Sequence, residues 1–77
     1  MNVQHFELDR EFITLDNLLK FLAIASSGGA AKVMVAEGLV KVNGEIEQRK
    51  TRKLRAGDVV RVHGGEEIHI TGGVSPQ

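Results

Sequence analysis

The 77-residue chain has no cysteine, tryptophan or tyrosine, one proline and three phenylalanines. Without cysteine there is no disulfide and no thiolate metal site, and nothing points to an oxidising compartment. Scarce aromatics argue against a sheet that stacks unpaired bases, because every stacked base needs a ring to lie on. Phe6, Phe12 and Phe21 are expected mostly in the core. The longest uncharged run, 21–31, is too short and too rich in serine and glycine to span a bilayer. No basic, apolar, small-residue leader precedes it. The expectation is one small cytoplasmic domain without a membrane association, which must bury most of its aliphatic side chains to be stable.

Catalytic patterns are missing as well. His5, His63 and His69 fall at outward positions of proposed strands, and their spacing gives no reason to converge on a metal. Ser26 and Ser27 lack a nucleophile context, and neither a dinucleotide fingerprint nor a Walker loop occurs. The expectation is a non-enzyme with no cofactor and no metal.

Net charge is formally zero, but its distribution is uneven. Residues 1–16 hold one base, Arg10, and four acids, Glu7, Asp9, Glu11 and Asp16. Residues 41–61 hold seven bases and three acids, and 49–55 (Arg-Lys-Thr-Arg-Lys-Leu-Arg) hold five bases and no acid. Charges act over about 8–10 Å at physiological salt, so the local excess matters more than the sum. Such runs are commonly solvated faces. This one lies inside the domain, with Leu54 placed to pin it to the core.

What is present is organised around 28–44. Ser27 can cap a helix that carries Ala30, Val33 and Met34 on one face, at i, i+3 and i+4. Gly38 is suited to end it, and Val40 and Val42 alternate with Leu39 and Lys41 as in a strand with one buried face. Asn43-Gly44 is a strong type I′ hairpin signal. A helix leading into a hairpin makes a rigid corner that holds Lys32 and Lys41. Free N–H groups at the Gly28-Gly29 turn suit phosphate oxygens.

Elsewhere Met1–Gln4 reads as loose, and Phe6 and Leu8 permit a short strand. Thr14 and Asp16 suit the start of a first helix over 15–25, with Leu15, Leu18, Leu19 and Leu22 on its inner side. The second helix reads as 30–37. Strands follow at 59–63 and around Ile68 and Ile70, and the tail from Thr71 on is expected disordered. The fold class is α+β: a two-helix corner packed on a small antiparallel β-sheet. The expected core takes Leu15, Leu18, Leu19, Leu22, Val33 and Met34 from the helices. From the sheet it takes Val40, Val42, Leu54, Val60, Val62, Ile68 and Ile70. The domain is expected over 1–71, with 72–77 as its tail.

The sequence Ala36-Glu37-Gly38-Leu39-Val40-Lys41-Val42-Asn43-Gly44, followed by the basic run and Ala56-Gly57-Asp58-Val59-Val60, resembles the S-four RNA-binding domain. That is the αL-motif module of small-subunit ribosomal protein four, and the resemblance covers about 13–63. Gly28-Gly29-Ala30-Ala31-Lys32 and Arg49-Lys50-Thr51-Arg52-Lys53-Leu54 resemble the short bacterial proteins made of this domain alone. Two family arginines are replaced, by Thr14 before Leu15-Asp16 and by Gly28 after Ser27. The contact surface is therefore expected to lie toward Lys32, Lys41 and 49–55.

The resemblance implies a module for structured RNA, ribosomal or transfer, with ribosomal particles among its expected partners and a monomer as its expected state. In it Lys32 and Lys41 contact phosphates, and Arg49, Lys50, Arg52, Lys53 and Arg55 track the backbone. Gly28 and Gly29 allow close approach, while Asn43 and Gly44 shape the hairpin. The rival class is a protein-interaction adaptor, whose acidic N-terminal third and basic middle meet complementary surfaces of a partner. Charge reversal at Glu7, Asp9 and Glu11 separates the two. DNA is less suited, because the second helix offers few base-reading side chains.

Overall fold

The computed structural model describes residues 2–72. Nine elements follow in order: β1 Asn2–Leu8, β2 Ile13–Thr14, α1 Leu15–Phe21, α2 Gly28–Ala36, β3 Val40–Val42, β4 Glu45–Ile46, β5 Lys53–Leu54, β6 Val59–Val62 and β7 Glu66–Gly72. A five-stranded sheet runs β1-β7-β6-β3-β4, and β2 and β5 form a separate two-stranded sheet. The α+β class and the two-helix corner hold. The main sheet is mixed, since β1 pairs β7 in parallel while the other pairs are antiparallel.

The parallel pair corrects the N-terminal reading. Asn2 to Gln4 is not loose but part of β1, in register with Glu66 to Ile68. Asn2 Nδ2 and Gln4 Nε2 each donate to the Glu66 carboxylate at 2.9 Å, which holds that carboxyl below its usual range. At the other end Thr71 belongs to β7, and its hydroxyl donates to the Phe6 carbonyl at 3.3 Å. Residues 73–77 of the expected tail lie outside the described residues.

The 28–44 unit forms largely from local signals. Ser27 Oγ accepts from Ala30 N at 3.1 Å, Gly38 ends the helical stretch at φ +76°, and Asn43 (+53°) and Gly44 (+88°) both take the left-handed turn. Asn43 does more than turn the chain. Its Nδ2 donates to Asp58 Oδ1 at 3.0 Å, and its Oδ1 accepts from Val59 N at 2.9 Å. The hairpin is thus clamped to the turn before β6. We expect Asn43→Gly, which keeps the turn and loses the clamp, to cost about 1–2 kcal/mol in thermal unfolding. Equal stability of the two proteins would refute the clamp.

Every sheet residue expected inside is buried, as are Leu15, Leu18 and Leu19, with Leu22 and Met34 packed against them. Val33 is a correction, because it is 54% exposed. The inner face of α2 is Ala31 and Val35, four positions apart, which turns Val33 away from the core. That helix starts at Gly28, and the first ends at Phe21 rather than 25, where Leu22 closes it and Ala23 turns at φ +61°. The aromatics are also less buried than expected. Phe6 and Phe12 are half-buried, and Phe21 is 71% exposed, edge-on to Phe6 at 5.4 Å.

Candidate nucleic-acid interface

The segment after β4 is held to α1 by its backbone. Leu15 N donates to Arg52 O and Asp16 N to Lys50 O, both at 2.9 Å. Thr14 occupies the cap position, but its hydroxyl makes no cap bond, so tertiary carbonyls take the role expected of it. The pairs Ile13↔Leu54 and Thr14↔Lys53 continue the attachment, and Leu54 is fully buried. Carbonyls turned toward the helix leave the cationic side chains on the outside.

Those side chains are ordered by two residues that composition did not single out. Glu47, the single buried charged residue described, accepts from Arg52 Nη1 at 2.7 Å and from Arg49 Nε at 3.1 Å. It also accepts from Arg49 N at 3.0 Å. The Arg49 and Arg52 guanidiniums hold its carboxyl down at about 2, and Glu47 in turn raises Arg49. Phe12 is the second organiser. Lys53 Nζ lies 5.0 Å and Arg55 Cζ 5.9 Å from its ring centroid, within cation–π range. Side chains held this way lose less rotamer entropy when an anion arrives. A lone glutamate beside a basic run and a phenylalanine 40 residues upstream carry no local signal of these contacts.

The structure brings Arg49, Arg52, Lys53 and Arg55 around one shallow hollow of about 300 Å³. Lys50 stands apart from it, 3.9 Å from Asp16. Lys41 belongs to a different hollow, with Arg61 and His63. Lys32 is exposed on α2 and lines neither. Asn43 is engaged by Asp58 and Val59. The expected turn at Gly28 and Gly29 is instead the first two helical residues, neither at positive φ. A Cβ at Gly28 would meet nothing within 4 Å, and one at Gly29 only Ser27 Oγ at 3.8 Å. Packing therefore does not require glycine at either place.

His5 and His63 are exposed, as expected, whereas His69 is half-buried. The parallel register sets His5 beside His69, ring centroids 5.3 Å apart, and His69 Nε2 lies 2.6 Å from Glu67 Oε2. Among the described residues no group of three or more His, Cys, Asp or Glu could hold a metal ion. No described helix is long and apolar enough to cross a membrane.

Residues 6–71 match the family profile of the S4 domain. The chain belongs to the S4 domain family. A relative in Bacillus subtilis (strain 168), named a probable ribosome maturation protein, RlbA, is 46% identical over 57 residues. That alignment covers 74% of this chain and 80% of RlbA. YbcJ of Escherichia coli (strain K12) is 44% identical over 52 residues, 68% of this chain and 74% of YbcJ. The solution structure of YbcJ is described as revealing an αL motif involved in RNA binding. It superposes with a TM-score of 0.68 at 36% identity, covering 92% of this chain and 90% of that one. The S4 family assignment and its αL corner thus agree with the resemblance carried by 36–44 and 56–60.

Proposed function

We propose that this S4 domain is a non-catalytic RNA-binding module that recognises structured RNA, ribosomal RNA in the first place, as a cytoplasmic monomer. The domain expected over 1–71 takes in Gly72 as well, which pairs with Leu8 at the end of β7. The observation that carries the reading is the pre-ordered hollow of Arg49, Arg52, Lys53 and Arg55, held by Glu47 and Phe12 on the start of α1. The names of RlbA and YbcJ support a ribosomal and an RNA target. Lys50 tracks the backbone beside the hollow, and Lys32 and Lys41 add phosphate contacts. Asn43 shapes the hairpin that presents Lys41. The hollow is shallow and basic, so it suits phosphates and groove shape rather than an extracted base.

The test is binding of the intact domain to ribosomal RNA stem–loops and to a matched DNA duplex across a salt series. Neutralising roughly five phosphates gives a log–log slope of about −3 to −5. A flat salt response, or equal binding to the DNA, overturns the reading.

Gly28 and Gly29 offer a separate check. Their N–H groups find no acceptor among the described residues, while those of Ala30 and Ala31 are taken by Ser27. Gly28→Ala and Gly29→Ala fit the helix and should raise stability by up to about 1 kcal/mol. If phosphate approaches this backbone, the same variants lower RNA affinity about three- to tenfold. Unchanged affinity in the stabilised variants would remove these glycines from the interface.

A further inference from the structure

We infer that the solvent-facing side of the main sheet carries a second phosphodiester subsite, made by Lys41, Arg61 and His63. It rests on the RNA-binding reading and adds to it a second point of grip, built on other elements than 49–55.

The row across the sheet is fixed by register. Ile46 lies beside Lys41, Lys41 beside Arg61, and Arg61 beside Glu67. The bonds His63 N to Leu39 O and Asn43 N to Val59 O flank Lys41 and Arg61. That alternation makes them a hydrogen-bonded antiparallel pair, with Cα atoms about 5.5 Å apart. Like charges placed so destabilise a sheet unless something offsets them. Among the described residues the ion pair that offsets them is with Glu67, 3.2 Å from Arg61 Nε, and Glu67 is shared with His69. Lys41 has no acid partner among the described residues, and its other neighbour is Ile46, 58% exposed. A positive site is left unsatisfied at the Lys41 end.

Space for an anion adjoins it. Lys41, Arg61 and His63 line an open hollow of about 210 Å³, with Gly38 and Gly65 contributing backbone. Glu66 is the acid on its rim, with both oxygens held by the neutral amides of Asn2 and Gln4, so its charge remains and sets the anion toward the Lys41 side. A phosphodiester here would receive Lys41 Nζ, the Arg61 fork and a His63 ring N–H. It would compete with Glu67 for Arg61. The hollow is too open to retain a small free anion, so a phosphate tethered in an RNA strand already gripped at 49–55 is the fitting occupant.

The test uses the full chain, a labelled pool of ribosomal RNA stem–loops and a salt series. Lys41→Ala and Arg61→Ala should each weaken binding about three- to tenfold and flatten the log–log salt slope by about 0.7–0.9. Glu67→Gln, which frees Arg61, should tighten binding about threefold, an effect opposite to that of a merely structural loss. Lys41→Ala should not lower the melting temperature, because it removes a like-charge contact. If Arg61→Ala and Glu67→Gln leave affinity and slope unchanged while replacing Lys50, Lys53 and Arg55 together by alanine still weakens binding about a hundredfold, the subsite is overturned and the RNA-binding reading stands. If the unaltered chain binds no RNA, both fall. Amide shifts at Lys41, Arg61 and His63 produced as fully by inorganic phosphate as by RNA would overturn the tethered-phosphate assignment.

Discussion

Replacing Lys50, Lys53 and Arg55 together by alanine is expected to weaken binding to structured RNA by about two orders of magnitude near 0.1 M salt. Three lost phosphate contacts, at roughly 0.7–0.9 each, take about 2–2.7 off the log–log slope. The same contacts account for a similar number of decades in affinity near 0.1 M salt. The choice of residues follows from the geometry. A variant that also removes Arg49 and Arg52 would strip both partners from the buried Glu47 and confound lost contact with lost stability. Lys50 touches only Asp16 at 3.9 Å, and Lys53 and Arg55 only skirt Phe12, so the triple variant should melt within a few degrees of the parent. Titrations by fluorescence anisotropy at several salt concentrations read slope and affinity together. A folded triple variant with the parental slope would show that 49–55 is a solvated face and would move the adaptor reading to first place.

Glu47→Gln should cost about 1–2 kcal/mol at pH 7. Removing one partner from a fully buried pair costs more, but Arg49 is largely solvated and its share is screened. For a domain of this size that is a fall of about 5–15 °C in melting temperature. The pH dependence identifies the cause. The carboxyl sits at about 2 in the folded chain against 4.5 ordinarily, so the unfolded chain takes up its proton first as pH falls. The stabilisation is complete above about 4.5 and is lost as pH drops toward 2. Thermal melts of parent and variant should therefore differ at pH 7 and draw together below pH 3. A constant gap would mean that the glutamine disturbs packing and that the ion pairs contribute little.

The hairpin corner was legible because its determinants lie within a few residues of one another. Ser27 caps at i+3, Gly38 stops the helix where it stands, and Asn43-Gly44 sets its own turn. Alternation in 59–70 likewise marked Val60, Val62, Ile68 and Ile70 for the core, since a strand with one wet face has no other stable orientation. The face of α2 was misread through its helical frame. Ala31 and Val35, four positions apart, share the inward face, which turns Val33, two positions from each, outward.

By itself, then, the sequence determined the S4-type corner, most of the core and the location of the basic excess. The tertiary structure alone decided which cations cooperate. Parallel pairing of β1 with β7 joins residues more than 60 positions apart, and it placed His5 beside His69 and set β1 at the sheet edge. Burial of Glu47 and the approach of Phe12 turned a run of charge into an ordered hollow, and the β3–β6 register set Lys41 against Arg61. The physical reason is range. Caps, turns and periodicity act over one or two turns of chain, whereas ion pairs and strand neighbours depend on where distant segments meet, which only the packed core settles.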